Sequence, residues 1–278
     1  MIITLVFNGG LGNQMFQYAF YLRMRYASPF SFFLFDIEPS QRQHHGYELD
    51  RVFNINSKRR RTCFRLLKQY CPKTIDLFKT IIQENSLEFV PDLLKVRHPL
   101  LRYEGFWQSE AYFKPVEGIV RKAFIFREEL LNKESKGMVP FLKSKNSVSV
   151  HVRRGDYLQH QDYYGQCTES YYKKAIESMQ ERVPNPFFVF FSDDMEWVKQ
   201  NIKCENAKYV TWNTGKDSWQ DMYLMSCCKH NIVANSSFSW WGAWLNSNPN
   251  KQVIAPTPWF NYSRDFDIFP PGWKVFGK

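Results

Sequence analysis

Two arginines and an aspartate stand together in His151-Val-Arg-Arg-Gly-Asp156. A guanidinium presents a rigid fork of donors that matches a phosphate or diphosphate, so Arg153 and Arg154 suggest an anionic ligand. Three other clusters offer complementary chemistry. Ser192-Asp193-Asp194 supplies carboxylates that could accept hydrogen bonds from a base or a ribose, or could simply cap a helix. Asn235-Ser236-Ser237-Phe238-Ser239 supplies hydroxyls where a helix opens near Ser239, and the unpaired N–H groups of a helix start favour an anion. Asn8-Gly-Gly-Leu-Gly-Asn-Gln14, with Gly10 and Gly12, supplies backbone N–H groups for an anion or a sugar hydroxyl. Arg153, Ser236, Ser237 and the helix start would together hold a diphosphate without a metal.

The elements that must position these groups follow from hydrophobic period. Val148, Val150 and Val152 alternate with polar residues and predict a strand over 147–152. From there the pattern is regular. A helix over 169–181 capped by Thr168 leads to strand 187–191, which ends at Ser192-Asp-Asp194. Strands follow at 208–212, 231–234 and 251–255, with helices between them. Such β–α alternation implies a parallel sheet, whose strand-end loops share one rim. The amino-terminal half reads as strand 2–7, helix 15–25 and strand 30–35. A strand beginning at Arg102 and a helix over 115–131 come later. Lys133–Lys145 is polar, contains Gly137 and Pro140, and is expected to link domains 1–145 and 146–278. Gly10-Leu-Gly12 with Asp36 half-matches a dinucleotide fingerprint. Met15 stands where the third glycine belongs, which argues against a nicotinamide or flavin cofactor.

A formal charge of +10 over 278 residues favours anionic partners. The basic segment 58–79, with Phe64, Leu66 and Leu67 interleaved, reads either as an amphipathic helix resting on a membrane surface or as a solvated helix face. Aromatic residues make up 18% of the chain, material for a core or for stacking against sugars. Nucleic-acid binding is the non-enzymatic alternative; against it, the basic run and the aromatics lie apart and no RNA-binding motif is present. Met1–Phe7 begins a strand without a basic leader and no apolar run is long enough to span a bilayer. Six cysteines lack paired metal-ligand spacing. The expectation is a cytoplasmic protein with reduced thiols, at the inner face of the membrane if segment 58–79 contacts it. Asp36-Ile-Glu38 and Asp265-Phe-Asp267 have an acidic spacing that could hold a metal but read as solvated loops, so no metal and no cofactor are expected.

The motifs taken together resemble the α-1,2-fucosyltransferases of glycosyltransferase family 11. Those that carry the resemblance are His151–Asp156, Phe191–Asp194, Asn235–Trp240 and Gly9–Gln14, with Tyr47–Asp50, Gly105–Glu110 and Pro256–Phe260. The resemblance implies an α/β, GT-B-like fold of two Rossmann-like domains facing a cleft, with residues 1–145 on the acceptor side and 146–278 binding a GDP-sugar. It implies inverting, metal-independent transfer from GDP-β-L-fucose to the 2-hydroxyl of a galactoside, either a glycan or a lipid-linked oligosaccharide. By the same resemblance Arg153 meets the β-phosphate, Ser236, Ser237 and Phe238 hold the phosphates, His151 and Asp193 or Asp194 contact the guanosine, and Asn13 is needed for activity. Gly10, Gly12 and Asn235 complete the expected donor set. Asp156 is either the catalytic base or the group that holds Arg153, and Arg154 is expected to pair with a carboxylate. Another linkage or another GDP-sugar remains open.

Overall fold

Ile2–Phe7 is apolar in all but one position and is buried from Ile3 onward, as a strand covered on both faces must be. In the computed structural model it is β1, an inner strand of a four-stranded sheet of order β2-β1-β4-β3. The structure describes residues 1–38, 45–71, 73, 80–84, 87–155, 158, 162, 165–261 and 267–278. The chain forms two units, Met1–Arg127 with Asp265–Ile268, and Glu128–Arg264 with Phe269–Lys278.

The first unit continues with α1 (Leu11–Ala27), β2 (Phe32–Ile37), α2 (Leu49–Val52), α3 (Lys58–Tyr70), β3 (Thr80–Gln83), β4 (Leu100–Glu104) and α4 (Glu117–Ala123). All its strand pairs are parallel. Helix α1 opens at Leu11, four residues before the expected Met15, with extended Gly10 as its cap. The helix expected over 115–131 is broken after Ala123. Phe126 leaves it to bridge Phe53, and the rings of Phe124 and Phe126 each lie 5.0 Å from that of Phe53. Aromatic packing outweighs helix periodicity there.

The second unit holds α5 (Lys133–Ser144), β5 (Asn146–Val152), α6 (Glu169–Arg182), β6 (Pro186–Ser192), α7 (Met195–Asn201), β7 (Ala207–Val210), α8 (Trp219–Cys227), β8 (His230–Ile232), α9 (Ser237–Leu245), β9 (Val253–Thr257) and β10 (Lys274–Gly277). Its sheet has the order β10-β9-β8-β5-β6-β7, again parallel throughout. Val148, Val150 and Val152 of β5 pack with Tyr171, Tyr172, Phe188 and Phe190 in the core. The polar face of β5 is buried as well: Ser149 Oγ accepts a 2.7 Å bond from Asn231 Nδ2. Lys133–Lys145, expected as a link, is instead largely the helix α5. Asn132 caps it by accepting from the Ser135 N–H at 2.8 Å, and Met138 and Leu142 bury one face. A cap and an i,i+4 apolar pair there override Gly137 and Pro140. Strand β10, short and at the sheet edge, carried no legible strand pattern.

Behind α5, Asn213 donates to Asp221 at 2.8 Å and accepts from Asn132 and Ser135. Burial raises the partly buried Asp221 carboxyl to about 7, against the opposing bond from Asn213. The folded chain therefore holds a proton that the unfolded chain has released, and stability falls as pH rises from about 4 to about 7. Asp221→Asn keeps an acceptor for Asn213 and removes the ionisation. The variant is expected to melt within a degree or so of the parent at pH 4 and a few degrees (~3–6 °C) above it at pH 8. A melting difference that did not change with pH would show that Asp221 is not the proton-binding group.

Candidate functional site

In an open parallel sheet a ligand binds where the strand order reverses, beyond the carboxyl ends. In the second unit that point lies between β5 and β8: β6 and β7 extend one way, β9 and β10 the other. The loops leaving β5 and β8 are Arg153-Arg-Gly155 and Asn235–Ser237, two of the clusters singled out by chemistry. The register of β5 on β6 pairs Val152 with Ser192, which brings Arg153 next to Asp193. The guanidinium of Arg153 meets the Asp193 carboxylate at 3.0 Å, with side chains 30% and 25% exposed. So open an ion pair adds little stability; its effect is to aim the guanidinium.

Asp193 does more than pair. It accepts from the Arg154 N–H at 2.9 Å and from the Gly155 N–H at 3.1 Å, and so closes the turn. A Cβ on Gly155 would stand 2.7 Å from Asp193 Oδ2, which is why the turn needs glycine there. Asp194 caps α7 by accepting from the Trp197 N–H at 3.1 Å and binds Arg154 Nε at 3.2 Å. For Asp194 the capping role is thus realised, and Asp193 is the holder of the turn. Arg154 is, as expected, a carboxylate's partner. It also bonds Gln166 at 3.1 Å and lies 3.9 Å over the Trp197 ring.

His151, on the buried polar face of β5, lies with its ring 5.8 Å from that of Phe238. Burial pushes the imidazole pKa down to about 3; Asp193 opposes this and Arg153 adds to it. The ring is neutral at every physiological pH, and its buried Nδ1 has no hydrogen-bond partner among the described residues. Helix α9 opens at Ser237, two residues before the expected start, with Ser236 as its cap accepting from the Phe238 N–H at 3.3 Å. Its first-turn N–H groups point out beyond the strand ends. Asn235 is turned inward and buried: Nδ2 donates to Gly165 O at 2.9 Å and Trp259 O at 3.0 Å. It ties loops of the rim together, which corrects its expected place among the ligand contacts. Asp156 lies outside the described residues.

The first unit has its own reversal point, between β1 and β4. Gly9 there has φ +70°, and a Cβ on it would stand 2.6 Å from Asn13 Nδ2, so only glycine lets that amide lie against the turn. Gln108, from the loop after β4, donates to Asn13 Oδ1 at 2.8 Å. Gln14 and Gln17 of α1 clamp the surroundings. Gln14 bonds Gly9 O, Gly46 O and the Glu48 N–H, and Gln17 bonds Asn8 and Gly105 O. Glu84 fixes the loop of Gln108 by accepting from the N–H groups of Phe106 and Trp107. Sequence reasoning missed Gln108, Gln17 and Glu84. Gln108 was visible within Gly105–Glu110, but nothing there gave it a role. Gly10 caps α1, while Gly12 is buried inside its first turn and is helix rather than loop.

Asp36 pairs with Arg102 at 2.8 Å and Glu38 accepts from Asn8 at 3.3 Å, so the dinucleotide half-match ends in an ion pair. Asp267 accepts from the Phe89 N–H, and Asp265 lies outside the described residues. Among the described residues no group of three or more His, Cys, Asp or Glu could hold a metal ion. All six cysteines are free. No described helix is long and apolar enough to cross a membrane.

Two parallel sheets with loops gathered at their reversal points are the architecture of GT-B glycosyltransferases. The α-1,6-fucosyltransferase NodZ, co-crystallised with GDP, superposes with a TM-score of 0.51 at 12% identity, over 88% of this chain and 92% of that one. Residues 95–276 match glycosyl transferase family 11. An α-1,2-colitosyltransferase of Escherichia coli is 35% identical over 97% of both chains. The human galactoside α-(1,2)-fucosyltransferase 1 is 31% identical over 54% of this chain and 44% of its own. The chain belongs to glycosyltransferase family 11, and it is a glycosyltransferase.

Proposed function

We propose that the protein transfers L-fucose from GDP-β-L-fucose to the 2-hydroxyl of a terminal galactoside, with inversion, giving an α-1,2-fucoside. One observation carries this reading: Arg153, aimed by Asp193, stands at the reversal point of the second sheet beside the loop that opens α9. As the bond from the anomeric carbon to GDP breaks, negative charge grows on the β-phosphate. A guanidinium already held in place and helix-start N–H groups stabilise that charge more than the ground state, and so lower the barrier. The Ser236 hydroxyl caps α9 through its lone pair and keeps its proton for a phosphate oxygen. Ser237 and Phe238 belong to the same segment. His151, neutral and with no partner for Nδ1 among the described residues, contributes a hydrogen bond towards the nucleoside rather than a proton. Asp193 acts mainly through the turn it closes, and Asp194 as the cap of α7 and the partner of Arg154. Asn13, held by Gln108, is needed for transfer. Asp156 stays the candidate base. The cationic work falls to Arg153 and the helix start, so no metal is required.

The likeness to a colitosyltransferase favours a second donor, GDP-colitose, whose sugar is fucose without its 3-hydroxyl. A pocket that hydrogen-bonds the 3-hydroxyl rejects the deoxy sugar by about 10⁴–10⁵, whereas an apolar pocket discriminates far less. The test is a donor screen with purified protein and a galactoside, measuring released GDP and transferred sugar, with and without excess EDTA. Transfer from GDP-fucose, unchanged by EDTA, is expected. Transfer from GDP-colitose alone would move the donor assignment, and activity that vanished with chelator and returned with manganese would overturn the metal-free reading.

A further inference from the structure

The amino ends of the first sheet carry a surface that the transfer reaction does not use. Ile2, Phe32 and Leu100 stand in register, so β1, β2 and β4 begin at one edge, opposite the edge that bears Asn13. Helix α1 ends at that edge, where the Phe32 N–H bonds Met1 O at 2.9 Å. Helix α3 packs against β2 on the connection that returns the chain to the same edge before the parallel strand β3. Met1, Tyr26, Phe30, Phe32, Leu66 and Tyr70 are exposed there by 39%, 63%, 100%, 47%, 42% and 71%. Arg25, Arg65, Lys68 and Arg97 are exposed among them, Lys95 there is paired with Asp92 at 2.8 Å, and neither α1 nor α3 contains an acidic residue.

A cavity of about 260 Å³ opens between the end of α1 and residues 89–97. Met24, Ala27, Phe89 and Leu94 line it together with Arg23 and Arg97. Arg23 Nε is buried there without a hydrogen-bond partner among the described residues. Apolar walls beside guanidinium groups suit a phosphate with its first methylenes. Exposed aromatics among cations suit the headgroup layer of an anionic bilayer, where the rings enter the interface and the cations meet negative lipid. We propose that this face, formed by the ends of α1 and α3 and the start of β2, docks the protein on an anionic phospholipid membrane. Docked this way, the strand ends that carry Asn13 stay clear of the lipid.

Co-sedimentation of the full chain with vesicles tests this. One set is phosphatidylcholine alone and the other contains about 30% phosphatidylglycerol. Binding to the anionic vesicles is expected to exceed binding to the neutral ones about tenfold and to fade between about 0.1 and 0.5 M salt. Phe30→Ser with Tyr70→Ser, and separately Arg65→Gln with Lys68→Gln, should each lower anionic binding roughly five- to tenfold. Phe30 is fully exposed, so its loss should leave the fold and transfer to a soluble acceptor intact. Lys173→Gln with Lys174→Gln, on exposed positions of α6, should change binding less than twofold. Equal binding to both vesicles, no binding, or an equal loss from the α6 pair would overturn the proposal. So would a dimer in free solution that Phe30→Ser dissolves, since the face would then be covered by a second copy.

Discussion

Replacing Arg153 with lysine is expected to lower kcat by about 10²–10³ while leaving the melting temperature almost unchanged. Lysine keeps the charge and can still pair with Asp193, but a compact ammonium cannot present two parallel donors to a phosphate. The ion pair is partly open to water, so its alteration costs little stability. Arg154→Lys should behave in the opposite way. The Arg154 side chain is 15% exposed, packed over Trp197 and bonded to Asp194 and Gln166. Its loss should cost about 1–2 kcal/mol of stability, with a smaller effect on turnover in the molecules that remain folded. Stopped assays and thermal melts on the two variants read both quantities. Near-normal turnover in Arg153→Lys alongside lost turnover in Arg154→Lys would reverse the two roles.

Asn13→Ala is expected to abolish transfer, a loss above about 10² in kcat/KM, with the fold retained. Gln108 Nε2 holds the side chain through Oδ1, and its Nδ2 lies against Gly9. Gln108→Ala should reproduce part of the loss, about tenfold, because the bond that orients the Asn13 carboxamide is removed. Gly9→Ala should fail twice over: φ +70° costs an alanine about 1–2 kcal/mol, and its Cβ would occupy the space of Nδ2. GDP binding, read by calorimetry, should survive in Asn13→Ala. Transfer undiminished in that variant would reduce the glycine turn to a structural feature.

How much of this was legible depends on how local the cause is. The valines of β5 and the polar clusters after β5, β6 and β8 lie in short windows, so the parallel sheet and its rim could be read directly. The switch point between β5 and β8 follows from strand order, and strand order is not written in any window. Asp193 holds the Arg153 turn because of a register between two strands, and Gln108 meets Asn13 across 95 residues of chain. Neither leaves a local pattern. Asn235 shows the converse. It sits in the right motif, yet the carbonyls of Gly165 and Trp259 turn its amide inward. The helix α5 was hidden by Gly137 and Pro140, whose unfavourable propensities are outweighed by a cap and by Met138 and Leu142.

The identity of the bond made is the most direct test of the central claim. The purified protein, given GDP-β-L-fucose and a terminal galactoside, should yield a product whose NMR spectrum shows an α-configured fucose and a through-bond correlation from its anomeric proton to carbon 2 of galactose. A β-configured fucose, a correlation to any other galactose carbon, or release of GDP with no acceptor consumed would contradict the account.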